Sequence, residues 1–129
     1  MHQMLDIFRL ADGLARHAGA RQAVLARNVA HADTPGYHAR DIEPFRQSYL
    51  DQGPALGLRT DRPGHLPGRG RAEGASLFDA PGPAAPNGNT VSLETEMMKA
   101  VRTRQQHDMA LSVYGTALGI LRTSLGRGR

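Results

Sequence analysis

The sequence predicts a mostly α fold: two long terminal helices forming a coiled-coil-like hairpin around an irregular middle rich in Gly and Pro. Three observations carry this. Apolar residues recur at alternating spacings of four and three from Met4 to Ala32, and the same spacing runs from Leu93 to Leu125. That is the period of a helix face that packs on another helix. Neither stretch contains a Pro, whereas eight Gly and six Pro fall between Gly53 and Gly88. Regular helix does not survive that density.

Residues 1–33 form the first helix. Its seam reads Met4, Phe8, Ala11, Ala15, Ala18, Gln22, Leu25, Val29 and Ala32, with Arg9, Arg16, Arg21 and Arg27 off it. At 1.5 Å per residue the helix is roughly 45 Å long. Pro35 disfavours helical backbone at Thr34, and Pro35-Gly36 suits the centre of a type II turn. The helix therefore ends near Ala32 or Asp33.

Residues 34–52 read as that turn and an ordered extension, in which Tyr37, Ile42, Phe45, Tyr49 and Leu50 lie back along a helix. Residues 53–90 read as a flexible insert whose few large apolar groups are Leu56, Leu58, Leu66, Leu77 and Phe78. It has too little to bury for a core of its own, with room for a short β-hairpin.

Asn87-Gly88-Asn89 is a turn. Ser92 caps the second helix, and Glu94 and Glu96 favour the positive end of its dipole. This helix spans 91–125 on a seam of Leu93, Met97, Ala100, Arg104, His107, Leu111, Tyr114, Leu118, Leu121 and Leu125. Gly126 ends it, and residues 126–129 are a tail.

A chain of 129 residues makes one domain at most. Its six aromatic residues are three Phe and three Tyr, which limits the core a lone copy can build. The net charge is +4, but no run of five or six basic residues marks a nucleic-acid tail. No Cys is present, which excludes disulfides and thiolate metal sites. No apolar run of about 18 residues spans a bilayer, so no membrane insertion is expected. The start, Met-His-Gln-Met, is interrupted at Asp6 and Asp12 and does not read as a signal peptide.

The residues of an active site are not grouped. Among the six His, His31 and His38 flank Asp33 across the Pro-Gly turn. No further ligand pair completes a metal site. Ser48, Ser76, Ser92, Ser112 and Ser124 lack an adjacent base, and Gly64 to Gly70 lacks the Lys-Ser/Thr ending of a phosphate loop. The reading is a non-enzyme with no cofactor and no metal.

Each helix also carries apolar residues off its seam: Leu5, Ile7, Leu14 and Val24 in the first, and Met98, Val101, Val113 and Ile120 in the second. A hairpin buries one stripe per helix. A second stripe calls for helices from other copies or other proteins.

The junction Leu25-Ala26-Arg27-Asn28-Val29-Ala30-His31-Ala32-Asp33-Thr34-Pro35-Gly36-Tyr37-His38-Ala39-Arg40-Asp41-Ile42 resembles the signature of the flagellar basal-body rod, hook and hook-associated axial proteins. That signature is an Asn-x-Ala-Asn helix end followed by Thr-Pro-Gly-Tyr/Phe. Asn87-Gly88-Asn89-Thr90-Val91, then Leu93, Glu94, Glu96 and Met97, extends the likeness, which covers about residues 4–50 and 86–125. The short length resembles the proximal rod members. One departure stands out: His31 replaces the second Asn, a residue able to satisfy a helix-end carbonyl or to bond a neighbouring chain.

The resemblance implies a structural subunit of the bacterial flagellar basal-body rod, working in the periplasm and self-associating in a helical assembly through its terminal helices. It implies export without a cleaved signal peptide by the flagellar export apparatus. Its partners would be the other rod proteins, the rod-to-membrane-ring adaptor and the ring protein. The implied assembly motif is Asn28, His31, Asp33, Thr34, Pro35, Gly36 and Tyr37. The helix-packing residues are Phe8, Leu25, Val29, Leu93, Met97, Leu111, Leu118, Leu121 and Leu125. Two other readings of the same composition are a cytoplasmic helical-hairpin adaptor and a basic nucleic-acid-binding protein.

Overall fold

The computed structural model describes residues 2–51, 76–80 and 82–126. Most of the Gly/Pro-rich insert, with Leu56, Leu58 and Leu66, lies outside the described residues. Helix α1 spans His2–Ala30, strand β1 Arg40–Ile42, helix α2 Phe45–Asp51, strand β2 Leu77–Asp79 and helix α3 Leu93–Gly126. Helices α1 and α3 pack against each other along their length. They are antiparallel: Asn28 meets Glu96 at one end, and the Phe8 and Tyr114 rings meet edge to face at 5.1 Å near the other.

The end of α1 follows from its sequence. His31 N–H donates to Arg27 O and Asn28 O, Ala32 N–H to Val29 O, and regular helix stops at Ala30. Tyr37 N–H then donates to Thr34 O at 3.3 Å across Pro35 and Gly36, and Gly36 has φ +69°. Positive φ at the third residue, after Pro at the second, is the type II pattern. It points the chain back along α1.

The returning segment is a strap. Arg21 clasps Asp41 with two bonds of 2.9 Å. His17 Nε2–H donates to Glu43 O at 2.7 Å. The Phe45 ring packs edge-on to His17 at 5.6 Å and lies over Gly13. Strand β2 pairs antiparallel with β1, Asp41 opposite Phe78. The two strands are therefore not a hairpin inside the 53–90 insert. One comes from the strap and the other from the insert's far end; Asp41 and Ile42 are buried, whereas Leu77, Phe78 and Asp79 stay exposed.

The seams need correction by about one residue. On α1, Ala11, Ala18 and Leu25 are buried as their spacing predicts, but the next buried position is Asn28, and Val29 is exposed. On α3, Glu96, Thr103, Ala110 and Ala117 are buried. Leu93, Met97, Leu111, Leu118 and Leu125, placed on the seam by sequence, are exposed within the chain, and Leu121 is half-buried. The pitch is right, since the buried row repeats every seven residues, but α3 is rotated by roughly 70° from the centre of the seam, most of one 100° residue step. The cause is side-chain size together with the junction. Small residues let two helix backbones approach, so the hairpin closes on Ala and Thr rather than on Met and Leu. The Asn28–Glu96 bond then fixes the rotation.

Candidate functional site: the hairpin junction and the bare face of α3

Where α1, the strap and the start of α3 converge, a polar junction is buried. Asn28 is at its centre and has no exposed surface. Its amide donates to Arg40 O at 2.6 Å and to Glu96 Oε2 at 2.8 Å. Its carbonyl accepts from Arg40 N–H at 3.1 Å and from the Tyr37 hydroxyl at 3.3 Å. In bonding both backbone groups of Arg40, the side chain acts as a neighbouring strand would and closes the outer edge of β1. Every hydrogen-bonding capacity of the Asn amide is used.

A second asparagine completes the junction from the far side of the sequence. Asn89 Nδ2 donates to the carbonyls of His31, Ala32 and Thr34, at 3.0, 2.8 and 2.8 Å. These carbonyls belong to the turn just past α1, and those of His31 and Thr34 also accept from Thr34 N–H and Tyr37 N–H. Its Oδ1 accepts from Val91 N–H, and Thr90 exchanges bonds with Ala39 and Tyr37. Gly36 N–H donates to Asn87 O at 3.0 Å. A Cβ on Gly88 would lie 3.5 Å from the Gly36 Cα, so the two turns touch backbone to backbone. Both glycines have positive φ, which side chains with a Cβ resist.

Charge in the junction is balanced. Lys99 reaches Glu96 at 3.0 Å and Asp41 at 3.5 Å, and Arg21 holds Asp41 from the other side. Burial alone would raise the Asp41 pKa. The bonds from Arg21 and Ile42 N–H, with the charges of Arg21 and Lys99, outweigh it and hold the carboxyl below its usual range. The network joins all three segments, so it orients α3 relative to α1.

The sequence motif divides between two environments. Asn28 is buried and Tyr37 half-buried, whereas Asp33, Thr34, Pro35 and Gly36 are exposed on the turn. His31, half-buried, stacks on Tyr37 at 4.6 Å, with Nδ1 3.2 Å from Thr34 Oγ1. Its ring does not bond the turn carbonyls beyond α1, which Asn89 takes. At the start of α3, the Ser92 carbonyl accepts the first helical bond from Glu96 N–H, while the Ser92 hydroxyl accepts from Thr95. Among the packing residues, Leu25 is fully buried, Phe8 half-buried against Tyr114, and the remainder line the outside as described.

Sequence reasoning missed Arg21, Asp41, Asn89, Glu96 and Lys99 as site residues. For Arg21, Glu96 and Lys99 the signal was available: each is a polar residue one position away from its helix's apolar seam. Reading Glu96 only as a dipole partner hid its role.

The outer surface of α3 is the second feature. Met97, Leu111, Leu118 and Leu125 form one exposed row, broken at Arg104, and Met98, Val101, Met109, Val113 and Ile120 form another. Val101 is 69% and Leu125 74% exposed. A monomer rarely leaves so continuous an apolar surface open. Beside it, Phe8, Ala11, Ala15, Ala110, Leu111 and Tyr114 line an open groove between the helices. Among the described residues no helix is long and apolar enough to cross a membrane, and no three His, Asp or Glu converge as metal ligands.

No protein-family model matches the chain. Individual proteins do. It is 31% identical over 115 residues to the flagellar basal body rod protein FlgB of Agrobacterium fabrum, covering 86% of each chain. It is 33% identical over 108 residues to the protein of that name from Salmonella typhimurium, covering 76% of this chain and 77% of the other. For the Aeromonas hydrophila protein the identity is 31% over 128 residues, covering 92% and 96%. At 31–33% identity over three quarters or more of its length, the chain belongs to the family of flagellar basal body rod proteins FlgB.

Proposed function

We propose that this structural subunit of the flagellar basal-body rod polymerises through the outer rows of α3 and the open end of the hairpin, and so helps link the membrane ring to the distal rod. Its neighbours are further copies, the other rod proteins, and the adaptor and ring protein at the base. It reaches the periplasm through the flagellar export apparatus. Asn28, His31, Asp33, Thr34, Pro35, Gly36 and Tyr37 set the hairpin angle that presents these rows. The exposed row Met97, Leu111, Leu118 and Leu125 supports the reading most directly. Covering the exposed part of each side chain stabilises contact by roughly 1 kcal/mol, which over a full layer of neighbours exceeds what a lone hairpin can satisfy internally.

Leu118→Asp tests it. Leu118 is 39% exposed and off the buried row, so the monomer's unfolding free energy changes by less than about 1 kcal/mol. Incorporation into isolated basal bodies and motility are lost, because a charge would be trapped in an apolar contact. Wild-type amounts of the variant in basal bodies would overturn the reading, as would a variant that unfolds.

A further inference from the structure

The chain has three asparagines, and all three lie in the junction: Asn28, Asn87 and Asn89. Only Asn87 precedes a glycine. Glycine is required at position 88, since φ is +79° there and the Gly36 backbone lies against it. That choice has a chemical cost. An Asn followed by Gly is open to attack by the next backbone nitrogen, because no Cβ obstructs the approach.

We propose that Asn87 is a site of spontaneous deamidation which closure of the junction holds in check. In the reaction the Gly88 amide loses its proton to solvent base, and the nitrogen attacks Asn87 Cγ. The bond from Cγ to Nδ2 breaks, and ammonia leaves with a proton from solvent. Water then opens the five-membered imide at either carbonyl. Opening at the side-chain carbonyl gives aspartate, and opening at the backbone carbonyl gives isoaspartate, with the main chain rerouted through Cβ.

The fold blocks the first step without burying the group. Asn87 is exposed, so water reaches it. The Gly88 N–H, however, is committed to Ala85 O at 2.8 Å. The Asn87 side chain is also held, accepting from Asn89 N–H at 3.0 Å through Oδ1, and its backbone carbonyl accepts from Gly36 N–H. Attack requires Gly88 N to give up its hydrogen bond and Asn87 to turn its Cγ toward that nitrogen. Both movements require the turn to open. An unfolded chain has neither restraint, so reaction proceeds through the open state in proportion to its population. The product cannot refold equivalently. Isoaspartate inserts a methylene into the backbone between Asn87 Cα and Gly88 N, which moves Gly88 off Gly36 and pulls the turn away from α1. Chains held unfolded are thereby lost to hairpin formation in proportion to the wait.

The test uses the full chain at mildly alkaline pH, in buffer and in urea, with mass spectrometry of the tryptic peptide Ala72 to Lys99. A gain of one mass unit at Asn87, and not at Asn89, is expected, at least about tenfold faster in urea. In buffer, Asn28→Ala moves the rate toward the urea value, because it loosens the same junction without touching the reacting atoms. In urea, where folding is not at stake, Gly88→Ala slows the reaction strongly. Equal wild-type rates in buffer and urea would overturn the protection. A Gly88→Ala rate equal to wild type in urea, or a mass gain centred on Asn89, would overturn the site.

Discussion

Replacing Asn28 by Ala removes the side chain through which the hairpin junction is wired. Four hydrogen bonds go. The half-buried Tyr37 hydroxyl recovers a water. The part-buried Arg40 N–H and C=O lose their side-chain partner, and one oxygen of Glu96, itself 2% exposed, is left without one. An orphaned buried polar group costs about 1–3 kcal/mol, at the upper end when charged. Glu96 keeps Lys99 at 3.0 Å, which holds its share near the lower end. The sum is about 3 kcal/mol, a large part of the 5–15 kcal/mol typical of a whole domain. Urea unfolding followed by far-UV circular dichroism measures it. Glu96→Gln supplies the companion: in a double-mutant cycle the pair Asn28→Ala and Glu96→Gln couples by about 1 kcal/mol or more, since both act on one bond. A loss below about 1 kcal/mol for Asn28→Ala would refute the view that the junction, rather than the apolar seam, fixes the hairpin.

Three further outcomes follow. Gly36→Val lowers stability by about 1–2 kcal/mol through backbone strain alone, because nothing lies within 4 Å of the added Cβ; Gly36→Asn loses less, and equal urea midpoints for the two would contradict the positive φ. Ala110→Leu wedges the helices apart at a fully buried position and costs about 1–3 kcal/mol, read as a lower melting temperature. The Asp41 carboxyl is held below its unfolded pKa, so its stabilisation is fully present above about pH 4 and drains away as pH falls through the lowered folded value. Asp41→Asn flattens that acid limb, and an unchanged stability–pH curve would rule out the Arg21–Asp41–Lys99 network as its source.

The helices were legible from sequence because period and punctuation agree: apolar spacing defines each run, Pro35-Gly36 stops the first, and Asn87-Gly88-Asn89 precedes the second. The strap's return was legible too, since Tyr37, Ile42 and Phe45 need a surface and α1 is the nearest. The face of α3 that closes the hairpin was not. Met97 and Ala110 lie on adjacent rows, and a reading that ranks by bulk selects Met97. Helix approach ranks the other way, because a smaller side chain permits closer backbones. The Asn28–Glu96 bond was hidden for a different reason: its partners are 68 residues apart, and no local pattern announces a hydrogen bond across that distance.

The two ends of the hairpin are unlike. One is cinched by asparagine and ion pairs around Leu25; the other opens where Leu5, Ile7 and Ile120 face water. That asymmetry gives the molecule an arrow. Copies that stack with their arrows aligned must bring one kind of surface against another kind. Each addition then re-creates the surface it has just covered, so unless the rotation between copies closes a ring, nothing in the subunit itself would set the length of such a stack.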